Sequence, residues 1–373
     1  MHTQRLASRR WRPSLTLKDR QNALATNFAA GKISPVSCTC ILGLQAFSTL
    51  CQPAPFANIL LGRPHPELPA PLYFFPILRY NVERIHRYTH AKGGGGMLWC
   101  LIPALLLALF LLYVFLTAPA RRGRALPLAR LYAHRGLHGN GAPENSLTAF
   151  ERACEAGVGI ELDVRLSADG KVVVFHDATL ERLCGRGERV DALALSQLRA
   201  LTLPDGSRIP TLEEALACVS GRVPLLVEVK NGPGLARLCA QTLMQLRSYS
   251  GPWAVESFDP RAVRYFRRRA PEIPRGQLVS LPDEYLGAVL RAGAQALSHL
   301  LANCLSRPDF IAYDRRMEGG NTLRVQRRLY RARLAIWTVR SRAELKSALA
   351  RGESVIFEAW RGDDPIQMED IRP

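Results

Sequence analysis

From residue 131 onward, short apolar runs rich in β-branched residues alternate with longer stretches whose apolar positions recur every three or four residues. The first pattern predicts strands and the second amphipathic helices, and their alternation is the signature of βα units around a parallel sheet. Eight strands are expected: "LYAHR" (131–135), "GIELDV" (159–164), "PLLVEV" (224–229), "PWAVESF" (252–258), "GQLVSL" (276–281), "DFIAYD" (309–314), "LAIWTV" (334–339) and "SVIFEA" (354–359). Helix-like segments lie at 145–156, 211–219, 234–248, 260–269, 283–292, 320–331 and 341–350. "PTLEEAL" and "SRAELKSAL" open on a Thr or Ser N-cap with Glu three residues later. Eight such units fit a (β/α)8 barrel, an α/β TIM barrel, over 131–361. A doubly wound open sheet is the alternative, but no Gly-x-Gly-x-x-Gly turn follows the first strand.

The stretch "IELDVRLSADGKVVVFHD" (160–177) carries Ile160, Leu162 and Val164 on one face and Glu161, Asp163 and Arg165 on the other. With Asp169 and Gly170 as the central residues of a two-residue turn, opposing residues sum to 339, which places His176 across from Asp163. Glu161, Asp163 and His176 then share one face of a hairpin that rises above the C-terminal rim of the barrel.

The run "LWCLIPALLLALFLLYVFLTA" (98–118) has no charge over 21 residues and predicts a single transmembrane helix over 97–119. Arg121, Arg122, Arg124 and Arg130 in the basic linker 120–130 favour a cytoplasmic catalytic domain, whereas Arg84, Arg87 and Lys92 lie on the other flank. The formal charge of +18 is unevenly spread, since residues 1–96 hold twelve Lys/Arg and three Asp/Glu. That leader shows no sustained period and ends in "AKGGGG" before Met97, whose codons resemble a bacterial ribosome-binding site. Translation is therefore expected to start at Met97, with the leader 1–96 unstructured or untranslated; an organellar targeting segment is the rival reading. The expected location is a bacterial inner membrane. The nine cysteines form no disulfide or zinc framework beyond the isolated Cys38–Cys40 pair. No basic-aromatic groove accompanies the charge, so nucleic acid is not an expected partner. Residues 362–373 are read as a tail.

In a barrel, reactive side chains come from the C-terminal ends of the strands. Read in order, these ends offer His134 and Arg135, Glu161 and Asp163, and Glu228 and Lys230, with Trp337 on a later strand. Three converging carboxylates call for a cation, and all-oxygen ligation suits one Mg²⁺ or Ca²⁺. Arg135 and Lys230 beside such a cation suit a phosphate. Histidine both takes and gives protons, so His134 and His176 fit opposite ends of a phosphodiester hydrolysis. Trp337 reads more readily as core than as substrate wall.

"AHRGLHGNGAPENSLTAFERACEAGVGIELDVRLSADGKVVVFHDATLERLCGRG" resembles the opening of the glycerophosphodiester phosphodiesterases, with "IPTLEEAL", "LLVEVK", "ESFDP" and "IWTV" following in family order. The resemblance implies a TIM barrel, a divalent cation on Glu161, Asp163 and Glu228, acid-base roles for His134 and His176, and phosphate contacts from Arg135 and Lys230. Glu144 and Asn145 match the Pro-Glu-Asn element, where Asn145 is expected to cap the following helix and Glu144 to support the site. The implied reaction yields sn-glycerol 3-phosphate and an alcohol. Glu358 and Ala359 stand where the family commonly has Thr-Asp, which bears on the rim beside the last strand.

Membrane lysophospholipids are the alternative substrate, and a catalytically silent, membrane-anchored lipid-binding barrel is the reading from a different class. The complete set of acids and histidines argues against the latter.

Overall fold

The computed structural model describes residues 96–121, 128–285, 290–361 and 363–371, with side chains from Leu101 onward. The leader with Cys38 and Cys40, most of the basic linker (122–127), residues 286–289, Gly362 and the last two residues lie outside the described residues.

An apolar helix α1 (Gly96–Thr117) precedes β1 (Leu131–Ala133), α2 (Leu147–Glu155), β2 (Gly159–Leu166) and β3 (Val172–Val174). A short pair, β4 (Thr179–Leu180) and β5 (Arg186–Arg189), leads to α3 (Leu212–Val219), β6 (Leu225–Val229), α4 (Leu235–Arg247), β7 (Trp253–Ser257) and α5 (Pro260–Arg269). The chain continues through β8 (Arg275–Val279), α6 (Arg291–Ser298), β9 (Phe310–Asp314), β10 (Arg333–Val339), α7 (Arg342–Ala350) and β11 (Ser354–Phe357). Each expected strand appears at its position.

The sheet runs β1-β11-β10-β9-β8-β7-β6-β2 and closes through a β1–β2 pairing. All eight of these strands pair in parallel, whereas β3 lies antiparallel on the upper part of β2. The result is an eight-stranded parallel barrel. Tyr132, Leu226, Ala254, Leu278, Phe310, Ala312, Ala335 and Ile356 form one buried cluster. Residues two positions further along these strands include His134, Glu228, Trp337 and Glu358. Alternation along a strand therefore puts them on the same, inward side and nearer the C-terminal mouth. Thr211 and Glu214 form the expected capping box, and Ser341 caps α7 by accepting from the Glu344 amide at 3.2 Å.

Three expectations need correction. The β2–β3 register pairs Val164 with Val174, so opposing residues sum to one less than expected, and Phe175 rather than His176 bonds back to Asp163. The loop holds three residues: Ser167 accepts from the Gly170 amide, and Gly170, at φ 82°, takes the left-handed conformation that returns the chain to Lys171. Gly at that position belongs to the three-residue hairpin loop, not to the two-residue one. Secondly, the helix expected at 283–292 starts later, at Arg291, because Pro282–Tyr285 forms a 3-10 turn and the good helix formers Ala292, Ala294, Ala296 and Leu297 lie beyond it.

The third concerns the apolar run. It is helical and stops at Thr117, ahead of the Ala118-Pro119 step that disfavours further helix. Among the described residues, however, no helix is long and apolar enough to cross a membrane.

The C-terminal end of α1 is joined to the barrel by side chains. Asn303 Nδ2 and Gln326 Nε2 donate to the Thr117 carbonyl at 2.9 and 3.0 Å, Arg307 donates to the Ala118 carbonyl at 2.9 Å, and the Tyr330 hydroxyl donates to the Val114 carbonyl. These residues lie on segments that immediately precede β9 and β10, so the joint is at the N-terminal end of the barrel, opposite the mouth. They satisfy carbonyls that a helix end leaves without intrahelical partners. Between β3 and α3, residues 173–209 build a small separate core around Phe175, Leu180, Val190, Leu198 and Ile209.

Candidate active site

The acids sit where the strand ends predict. Glu161 and Asp163 project from β2 and Glu228 from β6, with Asp163 and Glu228 in direct register. All three are buried, and one ligand oxygen from each lies within 4.8 Å of the others. Burial, and then the charges of Asp163 and Glu228, push the Glu161 carboxyl well above the ordinary carboxylate range. Asp163 goes the other way: burial opposes its charge, but Lys230, His176 and Arg135 outweigh it and hold the carboxyl well below that range. Buried oxygens of like charge at this spacing fit a hard divalent cation, and no thiol or imidazole is part of this triad.

Lys230, itself buried, reaches Asp163 and Glu228 at 2.8 Å each. Burial works against its charge, and the two carboxylates more than offset this and raise it. Arg135 takes a left-handed backbone conformation, φ 55°, in the turn after β1. Its amide donates to Glu161 at 2.9 Å, and its guanidinium lies 2.7 Å from Glu144 and 3.4 Å from Asp163. Both cations are thus oriented by the acids before any substrate arrives.

Asn145 does not cap α2. Ser146 does, accepting from the Ala149 amide at 3.1 Å. Asn145 instead donates through Nδ2 to Asp163 at 2.8 Å and accepts from the Asp163 amide at 3.3 Å. Its own backbone is left-handed, φ 56°, and its amide donates to the Arg135 carbonyl at 2.9 Å, which turns the side chain inward. Glu144 bridges Arg135 and Arg182, the latter through contacts of 2.6 and 2.9 Å.

Each candidate histidine has a carboxylate on Nδ1. His134 pairs with Glu358 at 2.8 Å, and His176 with Asp177 at 2.7 Å. Each carboxylate is in turn held by an arginine: Arg340 Nε lies 2.8 Å from Glu358, and Arg182 Nε 2.6 Å from Asp177. Burial lowers the His134 pKa to about 4 despite the opposing pull of Glu358, so the ring is neutral near pH 7. Burial favours protonation of Glu358 and Asp177, but hydrogen bonds from their histidine and arginine partners hold both well below the usual range. His176 reaches the site although the expected register fails, because β3 ends at Val174 and Arg165 Nε binds the His176 carbonyl at 2.8 Å.

Trp337 packs edge-on against Phe258, with ring centroids 5.7 Å apart, and Phe258 against Tyr285 at 5.8 Å. This aromatic row adjoins the interior apolar cluster, so the expectation of a packing role for Trp337 fits its contacts. Its buried indole nitrogen nevertheless has no hydrogen-bond partner among the described residues.

Sequence reasoning missed Arg182, Arg340 and His138, and gave Asp177 and Glu256 no role. Glu256 is buried one strand along from Glu228, in direct register with it. Burial and then Glu228 raise its carboxyl well above the ordinary range. A lone acid inside the apolar "WAVESF" was the available signal. His138, buried and lowered by that burial, lies within 4.8 Å of His134 and Glu358 when ligand atoms are compared.

Comparison with known proteins agrees with this geometry. The sequence model of the Glycerophosphoryl diester phosphodiesterase family matches residues 134–357. A glycerophosphodiester phosphodiesterase of Caldanaerobacter subterraneus subsp. tengcongensis is 33% identical over 159 residues, 39% of this chain and 65% of that protein. One of Bacillus altitudinis is 30% identical over 187 residues, 44% of this chain and 74% of that protein. The chain spans less than two thirds of the first of these and 63% of a Bacillus subtilis homologue. An Oleispira antarctica phosphodiesterase, solved in complex with the product sn-glycerol-3-phosphate, is similar at 25% identity and a TM-score of 0.50, covering 63% of this chain and 94% of that one. The matched span holds β2 to β11 and the acids, cations and histidines at the upper ends of the strands, and the chain belongs to the glycerophosphoryl diester phosphodiesterase family.

Proposed function

We propose that the chain hydrolyses glycerophosphodiesters to sn-glycerol 3-phosphate and an alcohol. One observation carries this reading: three mutually close, buried carboxylates flanked by Arg135 and Lys230, with two carboxylate-paired histidines at the same end of the barrel. The relatives' names and the product in the Oleispira structure support it.

Glu161, Asp163 and Glu228 fit a divalent cation, Mg²⁺ or Ca²⁺, which when bound supplies charge stabilisation for the phosphoryl oxygens. Arg135 offers a planar fork to two of those oxygens, and Lys230 a compact positive charge. His134, neutral near pH 7, accepts the proton of the attacking hydroxyl through Nε2 as the new phosphorus–oxygen bond forms. His176 delivers a proton to the leaving alcohol oxygen as the old bond breaks.

The same reading extends to location. Leu101, Leu105, Leu106, Leu109, Phe110 and Phe115 are each about half exposed, an apolar surface that calls for a lipid environment. We read α1 as a membrane-associating element with the barrel on the cytoplasmic side. Its joint lies at the end of the barrel opposite the mouth, which favours a water-soluble glycerophosphodiester over a lysophospholipid of the same bilayer.

The test is release of sn-glycerol 3-phosphate from glycerophosphocholine by the full chain, with Mg²⁺ or Ca²⁺ and with EDTA. Metal-dependent release, absent in Glu161→Ala and His176→Ala, is expected. No release by folded, metal-supplied protein, together with turnover of lysophosphatidylcholine vesicles, sinks the soluble-substrate reading. Co-flotation with anionic liposomes tests the location.

A further inference from the structure

We infer that Glu358 is the positioning residue for His134, fixing the tautomer that leaves Nε2 for the substrate. Glu358 follows β11, where the family resemblance leads one to expect Thr with Asp after it, and Ala359 leaves no second acid. The longer Glu side chain accepts from His134 Nδ1 at 2.8 Å. Arg340 grips the same carboxylate from the far side, with Nε 2.8 Å from Oε2 and Nη2 3.4 Å from Oε1. Glu358 is buried and so is fixed on both sides. A carboxylate in that place accepts a hydrogen bond from Nδ1–H without taking the proton, and stabilises the imidazolium that forms when Nε2 takes a second proton.

The arrangement repeats the second histidine of the site, where Asp177 sits between His176 and Arg182. There the acid is the next residue in the chain. At His134 it comes from the last strand, which neighbours β1 only because the barrel closes.

His134, His138 and Glu358 also have the composition of a transition-metal site. Two arginines argue for a proton instead of a metal between the ring and the acid. Arg340 makes both contacts above, and Arg361 Nε lies 4.0 Å from the same carboxylate. A divalent cation there would meet an acid whose charge is already matched.

The inference rests on the acid-base reading of His134, but its test has an arm that needs no turnover. In ¹⁵N-histidine NMR of the full chain, with His134→Asn used to assign the signal, His134 is expected in the Nδ1–H form. Glu358→Gln, close to isosteric, should shift it toward the Nε2–H form while circular dichroism and the melting temperature stay native. With glycerophosphocholine, kcat should fall about 10²- to 10³-fold with KM nearly unchanged. Glu358→Asp should recover more activity than Glu358→Ala. An unchanged His134 signal in folded Glu358→Gln overturns the positioning role, as does unchanged kcat. Stoichiometric Zn²⁺ binding that Glu358→Gln abolishes overturns it in favour of a metal site. If wild type turns over no glycerophosphocholine, the substrate reading fails, and the NMR arm still decides the role of Glu358.

Discussion

The two ends of the barrel both bury polar side chains, with opposite electrostatics. At the C-terminal mouth, Glu161, Asp163, Glu228 and Glu256 crowd like charges into a buried space that Lys230 and Arg135 only partly offset. At the N-terminal end, the neutral amides of Asn303 and Gln326 and the hydroxyl of Tyr330 meet backbone carbonyls of α1 that would otherwise lack partners. One end stores repulsion that a cation and a phosphate can relieve, while at the other the buried charges are already paired, Arg275 with Asp309 and Glu353 with Arg327 and Arg351, and the contacts to α1 are hydrogen bonds. Substitutions at the mouth should therefore cost activity, and those at the joint should cost stability.

The largest effect expected is at the triad. Asp163 touches Lys230, Arg135 and Asn145, so Asp163→Ala removes one cation ligand and the anchor of both phosphate-binding side chains. Glycerophosphocholine turnover should fall by about 10³-fold or more, in the range of lost electrostatic stabilisation. Next is Asp177→Asn, which spares the fold but loosens His176; about 10- to 100-fold in kcat is expected from the precedent of outer carboxylates. Steady-state kinetics on both variants would break the comparison if activity survived.

Much of this contrast is readable in the sequence. Glu161, Asp163, Glu228 and Lys230 stand out because charged residues interrupt apolar strands at period two, and a barrel turns strand ends into one mouth. The partners are less legible. Arg340 meets Glu358 across the ends of two strands, and Arg182 meets Glu144 across 38 residues, so neither pair leaves a local pattern. Asn145 misled for a different reason. Asn and Ser are both good N-caps, and adjacent in the chain they cannot be ranked until the left-handed backbone of Asn145 is known. The hairpin register failed on the same kind of detail, because Asp-Gly serves two- and three-residue loops alike.

The mouth should also leave a mark on stability through pH. The folded chain holds the His134 pKa at about 4, below an unfolded histidine near 6.5. As pH falls from 6.5 to 4 the unfolded chain binds a proton that the folded one refuses, so stability present above pH 6.5 is progressively lost. The difference amounts to about 3 kcal/mol over that window, and His138, lowered in the same direction, adds to it. Urea midpoints measured at pH 7 and pH 4.5 should converge in His134→Asn relative to wild type. Equal pH dependence in the two proteins would show that the ring is protonated in the fold and that the mouth is less desolvated than its geometry implies.

The smallest effect on catalysis is expected at the opposite end, and it is the sharpest check of the contrast. Asn303 is fully buried, and its Nδ2 shares the Thr117 carbonyl with Gln326 Nε2. Asn303→Ala removes one of two donors and leaves that carbonyl with the other, so the loss should be about 1 kcal/mol. Asn303→Ala with Gln326→Ala strands the carbonyl and should cost more than the sum of the singles, because an unsatisfied buried acceptor costs about 1–3 kcal/mol on its own. Neither variant touches a group at the mouth, so kcat on a soluble substrate should match wild type at temperatures where both are folded. Non-additive loss of melting temperature with constant kcat would confirm the division of labour. A fall in kcat in the folded double variant would mean that the joint of α1 sets the geometry of the mouth through strands β9 and β10, and the two ends of the barrel would have to be treated as one coupled unit.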